Sequence, residues 1–199
     1  MPKKTSPEKI SRKEQILQTL AQELEKRPGN RITTAGLAKA VGVSEAALYR
    51  HFASKAKMFE ALIAFAEDSV FSRINRILEE EKSAHSRCAQ VLYLSLMFAD
   101  KNPGITRILL GDALVGETER LRVRVDQFFS RLESQFKQIL REAEMRENLK
   151  TSLPVDSACT LLVAVIEGRM HQYQRTEFKR SPVTQWEEHW ALVSANLFQ

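Results

Sequence analysis

The chain has 199 residues, with 30 Lys/Arg against 25 Asp/Glu for a formal net charge of +5, and two cysteines. That length admits one or two domains with a full buried core, and isolated Cys88 and Cys159, without C-x-x-C spacing, exclude a disulfide framework and a zinc site. The longest uncharged apolar run, Leu161 to Ile166, falls far short of the roughly 20 residues of a membrane span, and MPKKTSPEKISRKE at the start lacks the apolar stretch of a signal peptide, so a cytoplasmic location is expected.

The predicted elements are all helices. Ser11-Arg-Lys-Glu14 is a capping box opening a first helix with the stripe Ile16, Leu17, Leu20 and Leu24, and Pro28-Gly29-Asn30 ends it. Thr34 to Val41 carries an apolar face (Leu37, Ala38, Val41). Gly42 then stops that helix where a positive φ is needed, Val43 plugs the turn, and Ser44 caps the next helix. Ser54 caps a long helix with the stripe Phe59, Leu62, Ile63, Ala66, Val70, Ile74 and Ile77. A fifth helix runs to about Asp100. Asn102-Pro103 then supplies an N-cap and first helical residue for a short helix through Leu110. From Thr118 to about Arg146 apolar residues recur at 121, 125, 128, 132, 136 and 139. Pro154 starts a helix ending near Tyr173, and Pro182 precedes a last one with Trp186, Trp190, Val193 and Leu197. The expected fold is all-α, about nine helices, three forming an N-terminal head (residues 1–57) and six a C-terminal bundle (58–199).

Helix, glycine turn and second helix at the spacing of residues 31–59 form a helix–turn–helix, the unit that lays its second helix in a DNA major groove. Charge agrees with this. Residues 1–57 hold 12 Lys/Arg against 5 Asp/Glu, while the other 142 hold 18 against 20, so the basic excess stops where the motif stops. The basic arm at the start is expected to order on DNA. With Leu48 facing inward, 100° per residue places Ala46 and Arg50 nearly opposite it, flanked by Ala47 and Tyr49. Arg50 suits a bidentate contact to guanine, the two alanines suit thymine methyls, and Glu45 suits either cytosine or the helix dipole. Thr33, Thr34 and Ser44 begin helices, where hydroxyls and backbone N–H groups meet phosphate.

The motif with its flank LYRHF, followed by SK and a further apolar helix, resembles the TetR family of DNA-binding regulators. The resemblance implies phosphate contacts from Tyr49, His51 and Lys55, and a homodimer joined through the last two long helices, so that two heads read a palindrome. The apolar load of Leu161, Leu162, Val163, Val165 and Ile166, with Gly168 nearby, fits that interface and fits plain core packing as well. Four further stretches (residues 65–78, 101–114, 131–147 and 167–182) resemble the branch of the family whose DNA-bound dimers prevent the tubulin-like protein FtsZ from assembling its division ring over the nucleoid. Phe65 lies about 120° off its helix's buried stripe, and the resemblance extends a partner surface from it to Arg73, Leu94, Lys101 and Asn102. Met97 and Lys101 depart from the Gly and Arg of the pattern. The alternative is a repressor released by a small ligand, for which Phe98, Phe128, Phe129, Phe136 and Met170 offer either pocket or core. No nucleophile–base pair, phosphate loop or carboxylate pair points to an enzyme, no cofactor or metal is implied, and His85, His171 and His189 read as surface or packing residues.

Overall fold

The computed structural model describes residues 10–26 and 29–199. The basic arm ahead of Ile10 and the Pro28 stop signal lie outside the described residues. The described residues form nine α-helices, in order: α1 Arg12–Lys26, α2 Thr34–Val41, α3 Glu45–His51, α4 Lys55–Glu80, α5 Ala84–Lys101, α6 Pro103–Leu109, α7 Glu119–Glu147, α8 Val155–Arg175 and α9 Trp186–Leu197. A 3-10 turn at Asp112–Leu114 joins α6 to α7, and a single bridge, Thr151 to Phe198, is the only extended pairing among the described residues.

Local chemistry sets the starts of these helices. Glu14 N–H donates to the Ser11 hydroxyl and Ser11 N–H to the Glu14 carboxylate, a complete capping box that holds the Glu14 carboxyl below its ordinary range. Thr33, Ser44, Ser54 and Ser83 accept from the third residue of α2, α3, α4 and α5, each cap worth about 1 kcal/mol. The α1, α4 and α7 stripes are buried as their 3.6-residue period requires, except that Leu17 and Ile77 are only half-buried.

Asn102 departs from expectation. It occupies the cap position of α6 with Pro103 next, but its side chain makes no capping bond there. Its amide donates to the Phe98 carbonyl (2.8 Å) and so satisfies the end of α5. The Thr106 hydroxyl, bonded to the Ala99 and Asn102 carbonyls, closes the corner.

Two buried arginines terminate helices that precede them in the chain. Arg107 of α6 donates to the Leu24 carbonyl at the end of α1 (2.7 Å) and to that of Asn30, and pairs with Asp112. Arg87 of α5 donates to the Leu78 and Glu81 carbonyls at the end of α4 and pairs with Glu142 of α7. A cation at a helix C-terminus meets orphan carbonyls and the negative end of the dipole, so each arginine fixes one long-range junction. Burial of these guanidiniums is tolerable because their donors are matched.

The head is joined to the bundle mainly where α6 crosses α1. Gly104 makes that crossing possible, since a Cβ there would lie 2.0 Å from the Ala21 carbonyl oxygen. At the other end of the molecule α9 is held by aromatic contacts. Trp186 and Trp190 stack on each other, Tyr93 packs on Trp186, and His85 lies edge-on to Trp190.

Candidate nucleic-acid interface and partner groove

The turn between α2 and α3 follows from two residues. Gly42 adopts φ +77°, and the Gly42 and Val43 N–H groups donate to the Lys39 and Ala38 carbonyls. An L side chain rarely takes that backbone conformation, which is the reason for glycine there. Leu37, Ala38 and Leu48 are buried beneath the turn. Ala46, Tyr49, Arg50 and His51 face solvent along one side of α3, and Ala47 is half-buried beside them.

Five of the DNA-facing candidates already have partners. The Thr33 hydroxyl accepts from Gly36 N–H and that of Ser44 from Ala47 N–H, which leaves each free to donate outward. The Thr34 hydroxyl donates to the Glu45 carboxylate (2.7 Å), pinning the start of α2 to the start of α3. Lys55 opens α4, and its ammonium donates to the Ile32 carbonyl (3.0 Å) and pairs with Glu117, ahead of α7. Neither tie was visible in the sequence, because the partners stand 11 and 62 positions apart with no periodic pattern to connect them.

Phe65, Arg73, Leu94, Lys101 and Asn102, from separate stretches, converge on one groove of about 390 Å3 between α4 and the C-terminal half of α5. Phe98 floors it, with its ring centroid 6.4 Å from that of Phe65, and Met97 lines it. Phe65 is 51% exposed although it is aromatic. Arg73 bonds along its own helix to the Ser69 carbonyl, and Lys101 stands 3.9 Å from Asp100, so both cations remain at the solvent edge. A second groove of about 620 Å3, lined by Leu17, Gln18 and Ala21 of α1 with Leu62 and Ile105, meets the first at Phe65 and Asn102.

Ion pairs brace α4 against α7. Arg124 donates to the Glu67 carboxylate and the Glu60 carbonyl, and Glu67 holds its guanidinium charged. The Lys57 hydrogen bond, helped by Arg120, keeps the Glu60 carboxyl below the ordinary carboxylate range.

Phe98, Phe128, Phe136 and Met170 belong to the packed core. Phe129, also buried, borders a groove of about 240 Å3 with Leu109, Leu110 and His171. On α8, Leu162, Val163 and Ile166 face inward while Leu161 is exposed and Gly168 has open space about it; Leu192 of α9 is exposed as well. Among the described residues no helix is long and apolar enough to cross a membrane, and no three acidic, His or Cys side chains stand together as metal ligands would.

Comparison with known proteins agrees with this geometry at both ends. Residues 16–62 match the family described as "Bacterial regulatory proteins, tetR family", and residues 82–198 match "Tetracyclin repressor-like, C-terminal domain". The chain is 54% identical over 192 residues to the nucleoid occlusion factor SlmA of Marinomonas sp. (strain MWYL1), covering 96% of this chain and 98% of that protein. It is 57% identical over 192 residues to the SlmA of Shewanella amazonensis, with the same coverage. Among solved structures, the MbdR regulator from Azoarcus sp. CIB superposes with a TM-score of 0.80 at 15% identity, over 94% of this chain and 99% of that one. FadR from Bacillus subtilis, solved with stearoyl-CoA, superposes at 0.72 with 17% identity, over 92% and 98%. These two likenesses speak to the fold alone.

Proposed function

This chain belongs to the tetR family of bacterial regulatory proteins, in its SlmA branch, and on that premise we propose that it is a nucleoid occlusion factor: a homodimer that binds palindromic chromosomal DNA and, so bound, stops FtsZ from assembling its ring over the nucleoid. The observation that carries the reading is the convergence of Phe65, Arg73, Leu94, Lys101 and Asn102 on one groove, one wall of which is α4, the helix that starts in the DNA-binding head. A groove with an apolar floor and cations at its edge suits an extended segment that presents apolar and acidic side chains together.

On the DNA side Arg50 reads base edges from the exposed face of α3, and Ala46 and Ala47 pack on thymine methyls. Thr33, Ser44, Tyr49, His51 and Lys55 contact phosphates, and Thr34 and Glu45 set the angle between the two helices. Dimerisation through α8 and α9 covers Leu161, Leu192 and the open side of Gly168. A dimer spaces two recognition helices about one helical turn of DNA apart. The chain then acts as a DNA-dependent inhibitor, without enzymatic chemistry, in the cytoplasm at the nucleoid.

The test has two parts. Chromatin mapping in growing cells is expected to find dozens of palindromic sites that thin out around the replication terminus; one or two sites beside a single operon would indicate a local repressor instead. Purified protein with a duplex carrying such a site is expected to suppress FtsZ assembly in light scattering, and neither component alone to match it.

A further inference from the structure

Lys55 sits at the edge of the head, where a phosphate contact is proposed, yet its ammonium already serves the C-terminal bundle. Its side chain is 26% exposed and that of its partner Glu117 only 14%. Glu117 belongs to the turn 115–118, which leads from the 3-10 turn into α7. The same turn touches a second cation of the head: Gly116, at φ +79°, runs so close to Arg31 that a Cβ would lie 2.0 Å from Nη2. Two basic residues of the head therefore rest on one acidic turn of the bundle.

We propose that Glu117 and the DNA backbone compete for Lys55, so that DNA binding releases the turn 115–118 from the head; this rests on the DNA-dependent reading above. The ammonium has three protons and two partners, so a phosphate can be offered the third. A phosphate within hydrogen-bond reach of Nζ is also brought close to the Glu117 carboxylate, and two anions about a partly buried cation repel each other strongly. Either the carboxylate swings away or the lysine leaves it. Both outcomes loosen the link between α6 and α7. The other end of α6 follows directly on Asn102, which lines the groove, and its Arg107 holds the Leu24 and Asn30 carbonyls of the head. The turn thus reports DNA occupancy to the segment that borders the partner groove.

Glu117→Gln keeps the shape and removes the charge. With a duplex of about 30 base pairs selected from a random library, room for two half-sites, this variant is expected to bind about two- to fivefold tighter than the parent. Lys55→Met is expected to bind more weakly, and Glu117→Gln to add nothing in the Lys55→Met background. Hydrogen exchange of the segment 111–121 is expected to quicken when DNA is added to the parent and to be quick from the start in Glu117→Gln. An unchanged or weaker affinity in Glu117→Gln overturns the proposal, as does an equal gain in the Lys55→Met background, which would be a general charge effect. Protection of the turn by DNA overturns it too. Suppression of FtsZ assembly, scored separately, should need less DNA with Glu117→Gln. Failure of every variant and the parent to affect FtsZ would defeat the nucleoid occlusion reading while the coupling between positions 55 and 117 still stood.

Discussion

Substituting Gly104 by alanine tests the joint between head and bundle. Gly104 is the second residue of α6, and its added Cβ would lie 2.0 Å from the Ala21 carbonyl oxygen and 2.9 Å from the carbonyl carbon. Ordinary carbon–oxygen contacts begin at roughly 3.3 Å, so something must move by more than an ångström. The obstacle is main chain in the middle of α1 and cannot rotate aside as a side chain would. Alanine gains at most about 1 kcal/mol of helix propensity. Against it stands an overpacking cost of about 1–3 kcal/mol. Parting α1 from α6 also stretches the bonds from Arg107 to the Leu24 and Asn30 carbonyls, each of which is charge-assisted and worth about 1.5–3 kcal/mol. A net loss of about 3 kcal/mol is expected, which for a chain of this size lowers Tm by about 6–12 °C. Urea and thermal denaturation followed by far-UV circular dichroism measure it. Ala21→Gly should not rescue the variant, because the clash is with the carbonyl and not the methyl group. A Gly104→Ala protein as stable as its parent, or restored by Ala21→Gly, would refute the reasoning.

Other predictions concern function and the interior. Phe65→Ala and Lys101→Glu should leave DNA affinity within about twofold and stability within about 0.5 kcal/mol, as befits exposed positions, yet abolish suppression of FtsZ assembly; parallel loss of DNA binding would place these residues in the fold. DNA affinity should fall steeply with salt, and Arg50→Ala should cost about 1–3 kcal/mol on the preferred site and little on scrambled duplex; a flat salt response speaks against the phosphate contacts. Gly168→Ala should weaken dimerisation in analytical ultracentrifugation if a partner helix packs there, whereas an isolated helix would gain about 1 kcal/mol from the same change. Burial pushes the Cys159 thiol from an ordinary 9.0 up to about 11, and raises Cys88 as well. Both should resist alkylation until the chain unfolds. Because the folded value is the higher one, the associated stability is intact below pH 9 and is lost as pH climbs towards about 11.

The parts of this molecule that the sequence made legible are local ones. Ser11 with Glu14, Gly42, Ser44 and Ser54 each act within five positions of themselves, and their side-chain chemistry leaves few alternatives. The stripe of α7 was legible because a period near 3.6 persists over 29 residues. Tertiary pairings leave no such trace. Arg107 reads as one more charge in ITRIL, yet it is buried and terminates a helix 83 positions earlier. Asn102 reads in the sequence as the cap of the helix it begins and instead serves the helix that ends there, since Pro103 already sets that first turn and a carbonyl of α5 needs a donor. In the groove, the outward direction of Phe65 followed from helix geometry, while its meeting with Leu94 and Lys101 depended on how α4 and α5 cross. Lys55 stands in a motif that the sequence shows, whereas its partner Glu117 is evident only in three dimensions.

The aromatic cluster that secures α9 has a practical consequence for spectroscopy. The chain has two tryptophans, and both ride on that helix, stacked with centroids 6.0 Å apart, Trp190 being buried. Intrinsic tryptophan emission is therefore a gauge of one end of the molecule. It will follow the docking of α9 and any second protomer packed on it, and will register little when the recognition helix meets DNA. An unfolding curve traced by emission and one traced by circular dichroism need not coincide, and a gap between them would measure how independently the DNA-binding end melts.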